Sequence, residues 1–299
     1  MELTYSAATK KPGKIWLLNF AVSILLLNYI LSASPASAEI PGRIISLAPN
    51  ITEILFAIGL DNRIVGVTNF CDYPEEAKRK PKVGGMSTPS LEAVVSLKPC
   101  IVVMTTDGNP KEFEQRLRSL KIKTYIFRAR TLTELPQGVR DMGLELGAKE
   151  KADTLARKIE TAINNPPTPP FTKGGRGGIT EASQKKRVLF IIWPEPLIVA
   201  GPGTVIDDAI SILGLENAAY RSKVSYPKYS IEEIIRQSPD IIFIGKGHEN
   251  IKEVSKRLLK KIATVPAVKK GNVFYLSDTL YRLGPRVING IEEMAGCLK

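Results

Sequence analysis

Residues 149–164, KEKADTLARKIETAIN, decide how the rest of the chain divides. Ala152, Leu155, Ala156, Ile159 and Ile163 recur at helical spacing, charges fill the other face, and neither Gly nor Pro interrupts the run. The spacing predicts one long helix. The segments on either side of it echo each other. Residues 90–103, SLEAVVSLKPCIVV, match 230–243, SIEEIIRQSPDIIF: Ser, an aliphatic, Glu, an apolar pair, Pro, then a β-branched run. FAIGLDN at 56–62 pairs with SILGLEN at 211–217, and RIISLAP at 43–49 with RVLFIIWP at 187–194. One echo could be chance; three in the same order indicate two units of one design.

Strands alternating with helices predict parallel βα units. The expected fold class is therefore α/β, with two parallel-sheet βα lobes joined by a single long helix. The N-terminal lobe is expected over 39–148. The connector spans 149–186 and carries an insertion at 165–178, NPPTPPFTKGGRGG. The C-terminal lobe takes 187–299. Four prolines and four glycines make the insertion neither helix nor strand; it reads as a tolerated surface segment, or as a recognition segment of polyproline type. A cleft between two lobes is a common place for a ligand.

The chain has 299 residues and a formal net charge of +12. Its Lys and Arg are spread rather than gathered into a basic stripe with aromatics, so the charge implies a solvated cationic surface and no nucleic-acid partner. Residues 1–38 have the three parts of a secretory signal peptide. Lys10, Lys11 and Lys14 precede the apolar run 15–31, and Ala36-Ser37-Ala38 forms an A-x-A site before Glu39. The expected location is the periplasm; the other reading of the run is an uncleaved membrane anchor. Three cysteines, Cys71, Cys100 and Cys297, leave at least one thiol free in an exported chain, and Cys100, opening a strand, is expected to be buried.

Along the chain, 51–58 reads as an amphipathic helix stopped by Gly59, and 193–204, WPEPLIVAGPGT, as a long turn. The last helix is expected to run to Cys297. Loops at the carboxyl ends of parallel strands are where such folds hold ligands. Those loops contain Phe70, Met86, Thr105, Trp193, Tyr226, His248 and residues 278–282, several of them aromatic, which suits a large, flat, partly apolar ligand. Motifs for catalysis are missing: SLAPNITE at 46–53 stands where a dinucleotide fingerprint would be, and there is no phosphate-binding loop or nucleophile elbow. The single histidine, His248, cannot form a histidine metal cluster. It reads as a loop residue, or as a contact to a metal inside a bound chelate. Glu92 and Glu232 occupy equivalent first-turn positions after Ser90 and Ser230. There they can stabilise the helix dipole by about 0.3–1 kcal/mol, or dock one per lobe on a two-fold partner.

The leader, RIISLAPNITEILFAIG, DYP, SLEAVVSLKPCIVV, SIEEIIRQSPDIIF and SDTLYRLGPR together resemble the periplasmic cobalamin-binding proteins of ABC importers. These belong to a wider group of iron-siderophore, haem and cobalamin receptors of class III. The similarity covers 43–298 apart from the insertion. It implies a rigid, non-enzymatic receptor with no resident cofactor, whose cargo is a corrinoid or iron chelate and whose partners are an inner-membrane permease and its ATPase. It implies that Phe70 and Tyr226 face the ligand, that Asp278 and Arg282 are the polar pair beside it, and that Glu92 and Glu232 dock on the permease. Met86 and Thr105 stand where some relatives have tryptophans, which keeps haem and siderophores open as ligands. The reading from another class, an exported cleft enzyme, rests on the α/β fold and the Asp278/Arg282 pair.

Overall fold

A computed structural model describes residues 42–106, 108–167, 185–246 and 250–298. The signal segment 1–38, His248 and positions 168–178 of the insertion lie outside the described residues. Among the described residues no helix is long and apolar enough to cross a membrane.

The first sheet is built from β1 (Ile44–Ser46), β2 (Ile64–Val67), β3 (Ile101–Thr105) and β4 (Lys123–Phe127), in the order β2-β1-β3-β4, all parallel. Helices α1 (Pro49–Ala57), α2 (Glu75–Lys78), α3 (Leu91–Ser96) and α4 (Lys111–Ser119) lie between its strands. Next come α5 (Leu135–Glu145) and α6 (Lys149–Asn164), the long helix that the spacing predicts. The second sheet contains β5 (Arg187–Pro194), β6 (Leu197–Val199), β7 (Glu216–Asn217), β8 (Ile241–Gly245) and β9 (Val273–Leu276). Its order is β6-β5-β8-β9, with β7 also on β5. It is served by α7 (Val205–Ile212), α8 (Ile231–Gln237), α9 (Ile251–Lys261), α10 (Pro266–Lys269) and α11 (Val287–Gly296).

Strand alternation sorts the apolar side chains. Ile44, Ile101 and Val103 of the first sheet face the same core as Val188, Phe190, Ile241 and Phe243 of the second. The residues between them turn outward. Ile45, Val102 and Met104 meet Val94 of α3 and Phe113 and Leu117 of α4. Leu189, Ile191, Ile242 and Ile244 meet Ile234 of α8 and Leu258 of α9. Both sheets are thus covered on two faces, which explains their unbroken apolar runs. Helices α1, α5, α6, α7 and α11 fill the space between the sheets, and their apolar residues join one continuous core.

The repeat is real down to single hydrogen bonds. Gly59 and Gly214 both end a helix with φ +73, a conformation that glycine adopts without cost. Ser90 and Ser230 both cap the next helix through the side chain. Lys98 and Ser238 both take φ 47 before the Pro that precedes the strand. Arg43 donates to the Leu97 carbonyl, and Arg187 to that of Gln237, so each first strand begins with a cation that closes the end of the equivalent helix.

Several expectations are corrected. The segment 193–204 is not a plain turn: Leu197–Val199 folds back antiparallel on β5. Helix α1 begins at Pro49 and is not amphipathic, because Ile51–Leu55 is buried without a break where the helix passes between the sheets. Cys100 is exposed, since the strand starts one residue later at Ile101. The last helix ends at Gly296.

Helices α5 and α6 pack with their backbones close: a Cβ on Gly143 would lie 2.1 Å from the Ala152 Cβ. Gly143→Ala is expected to destabilise the protein by about 1–3 kcal/mol in urea denaturation, because the helices must separate. Gly296→Ala, with open space around it, is expected to cost nothing measurable.

Candidate functional site

Glu53 sits on the buried face of α1, and its side chain is only 2% exposed. Such a carboxylate must be paired to stay charged. Its partner comes from across the core. Arg286, at the start of α11, grips it with two hydrogen bonds, Nε to Oε2 at 3.1 Å and Nη2 to Oε1 at 2.8 Å. Arg282 approaches the same carboxylate at 3.5 Å and binds Asp72 more closely, Nη1 to Oδ1 at 2.6 Å. Asp278 lies 3.6 Å from Arg286, whose guanidinium also stacks 4.5 Å from the Tyr73 ring centroid. Asn50 donates from Nδ2 to the Leu283 carbonyl at 3.2 Å. Residues from the ends of β1 and β2 therefore meet residues that follow β9 in one polar seam.

The seam carries three carboxylates and two guanidinium groups. The Arg282 hydrogen bond holds the Asp72 carboxyl below the usual carboxylate range, against the effect of burial and with help from the Arg282 and Arg286 charges. Tyr281 is half-buried and lies over Gly245, where a Cβ would fall 1.5 Å from its hydroxyl. Burial pushes that phenol up, and the fields of Asp278 and Tyr226 add to it.

Aromatic side chains flank the seam. On the first sheet's side Phe70 is 64% exposed and Tyr73 48%, in the loop that holds Asp72. On the second sheet's side Tyr226 is 57% exposed, close enough to Tyr281 to affect its titration. Of the sequence-predicted residues, the structure thus brings together Asp278 and Arg282, with Phe70 two residues from Asp72 and Tyr226 beside Tyr281. Met86 and Thr105 are linked differently. Asn109 accepts from the Thr105 amide and donates to the carbonyls of Met86 and Leu47, all at 2.8–2.9 Å. Thr105 is buried, and Met86 packs partly into the core. Trp193 lies at the end of β5 and donates its indole N–H to the Glu195 carbonyl at 2.6 Å.

Sequence reasoning missed Glu53, Asp72, Arg286 and Asn109. A signal existed for the first of these. Glu53 is the one charge in a helix of otherwise apolar or small polar residues, and a charge there needs a partner.

This is the two-sheet α/β architecture of class III periplasmic binding proteins, with a polar seam made by loops of both sheets. The family model described as periplasmic binding protein matches residues 44–280, and the chain belongs to that family. The vitamin B12-binding protein of Pectobacterium carotovorum is 27% identical over 263 residues, covering 88% of this chain and 90% of that protein. The crystal structure of the periplasmic vitamin B12 binding protein BtuF of Vibrio cholerae is similar with a TM-score of 0.69 at 26% identity, over 87% of this chain and 97% of that one. The periplasmic heme-binding protein RhuT from Roseiflexus sp. RS-1, in apo form, is similar with a TM-score of 0.74 at 26% identity, over 86% and 97%.

Two outcomes follow from the seam. Glu53→Ala leaves Arg286 without its bidentate acceptor, and is expected to lower stability by about 3–5 kcal/mol in denaturant melts. The second concerns acid. A folded-state pKa below the unfolded one contributes stability that is present above the unfolded value and lost as pH falls through the folded one. The melting-temperature gap between wild type and Asp72→Asn is therefore expected to be constant at neutral pH and to close below about pH 4, where the unfolded carboxyl takes up its proton.

Proposed function

We propose that the chain is the solute-binding protein of an ABC importer, exported by its 1–38 leader, which captures cobalamin or a related corrinoid between its two lobes and hands it to the permease unchanged. The lobes are residues 39–148 and 187–299, and 149–186 connects them. The observation that carries the reading is the seam itself. Loops of both sheets converge there, with Phe70 and Tyr73 on one side and Tyr226 on the other. A corrin is broad and mostly apolar, with polar amides at its rim. Exposed aromatic faces suit the ring, and the Asp278–Arg286 and Asp72–Arg282 pairs suit the rim groups. Met86, Thr105 and Trp193 are assigned to the wall of the same site.

Likeness to vitamin B12-binding proteins over most of the chain supports the corrinoid. The likeness to a heme-binding protein supports a second reading, haem or another iron chelate in the same place. The charge balance favours the first. Both guanidinium groups of the seam are already matched to carboxylates, so an anionic ring must displace a partner before it can be neutralised. We assign Glu92 and Glu232 to permease docking. Both are exposed, and neither has a lysine or arginine partner among the described residues.

Calorimetric titration of the purified protein with cyanocobalamin, haemin and a ferric siderophore tests the reading. Cyanocobalamin is expected to bind with micromolar affinity or better, and absence of heat at roughly tens of micromolar ligand would reject it. Phe70→Ala and Tyr226→Ala are each expected to weaken capture about tenfold without lowering the melting temperature.

A further inference from the structure

The C-terminal half carries a cavity of about 700 Å³ that takes no residue from the polar seam. Arg187 and Glu216 line it, and they open β5 and β7. All of β5, β7, β8 and β9 run parallel. The two residues thus lie at the amino ends of the strands, whereas the Asp278 loop leaves the carboxyl end of β9. Helix α8 adds Glu233 and Arg236, and the loop 220–228 adds Arg221 and Lys228. That loop is held in place by β6 and the turn after it: the Val199 amide donates to the Pro227 carbonyl at 3.2 Å, and that of Gly201 to Ser225 at 2.8 Å.

Four cations and two carboxylates line the cavity, so positive charge is in excess. Glu233 pairs with Arg236. Arg221 donates its Nε to the Tyr220 hydroxyl at 2.8 Å and has no carboxylate partner among the described residues; nor has Lys228. Arg187 departs from the internal repeat. Its counterpart Arg43 spends its Nε on the carbonyls of Leu97 and Lys98, at 2.9 and 3.2 Å. Arg187 instead gives both Nη groups to Gln237, and its buried Nε finds no hydrogen-bond acceptor among the described residues. The Glu216 carboxylate stands off at 3.5 Å. The guanidinium is therefore fixed in place while its charge is only partly answered.

Tyr220 and Tyr229 also line the cavity. Their rings suit a flat organic group. The volume falls in the range of small-molecule sites and is more than a bare inorganic anion fills.

We propose that this cavity is a second binding site, for a small phosphate monoester that carries a flat ring. A monoester bears close to two negative charges at neutral pH, which matches the excess of cations. Guanidinium groups bind phosphate oxygens in pairs, and an ammonium acts as a point charge. Arg221 and Arg236 supply the first, Lys228 the second, and Tyr220 and Tyr229 hold the ring. Because the loop is already tied down, little ordering is needed on binding. The site stands or falls independently of what the seam binds.

Calorimetric titration of the full protein with adenosine monophosphate, adenosine and inorganic phosphate tests the proposal. Adenosine monophosphate is expected to bind at least about tenfold more tightly than either part alone. Arg221→Ala with Lys228→Ala removes two exposed cations. It is expected to weaken adenosine monophosphate at least about tenfold, with the melting temperature and cyanocobalamin affinity as in wild type. Lys252→Ala with Lys256→Ala removes the same charge from the exposed face of α9 and is expected to leave all of these unchanged. Equal binding of adenosine monophosphate and inorganic phosphate overturns the proposal, as does wild-type affinity in the Arg221/Lys228 variant. Adsorption to phosphatidylglycerol vesicles that depends on Arg221 and Lys228, without binding of adenosine monophosphate, overturns it in favour of a lipid headgroup.

Discussion

The Glu53–Arg286 pair fixes the geometry on which the polar seam depends. A carboxylate among the apolar residues of α1 is tolerable only because a guanidinium from the far end of the chain reaches it with matched fork geometry. The pair joins the helix after β1 to the helix that closes the second sheet. It does so at the edge of a core to which both sheets contribute, Ile44 and Val103 from one, Phe190 and Phe243 from the other. Close-packed interiors resist continuous deformation. The two sheets are held by shared apolar packing, and the polar seam sits where that packing reaches the surface.

The internal repeat gives the molecule two surfaces of one design. Arg43 and Arg187, Gly59 and Gly214, Ser90 and Ser230 do the same work at equivalent places. The halves differ where they meet. Asp72 and Tyr73 belong to the first sheet's loop, while Asp278, Tyr281, Arg282 and Arg286 come from the segment after the last strand. The repeat builds the frame, and departures from it build the polar seam.

The frame was legible because its signals are local. Helical spacing in 149–164, the Ser caps and the glycine stops each depend on a few neighbouring residues, and each stands as the sequence predicts. The hairpin at 195–196 was hidden because Pro194 and Pro196 read as turn signals, although the residues that follow pair as a strand. Cys100 was misplaced because a one-residue shift of a strand boundary separates buried from exposed. The seam was only half legible. Asp278 and Arg282 carried a recognisable motif, but Glu53, Asp72 and Arg286 acquire meaning from contacts 210 and 233 residues apart. Asn109, which ties Thr105 to Met86, looked like ordinary turn composition.

Capture of a chelate in the proposed manner requires a frame that is set before binding. Spin labels at Gln115→Cys in α4 and Lys256→Cys in α9, with Cys100 and Cys297 replaced by Ser, report the distance between the outer helices of the two sheets. Pulsed EPR of the unloaded and cobalamin-loaded protein tests the claim most directly. A distance distribution that moves by no more than about 2 Å on loading is the expected result. A broad unloaded distribution that collapses to a shorter distance on loading would contradict it, and would show halves that close on a hinge.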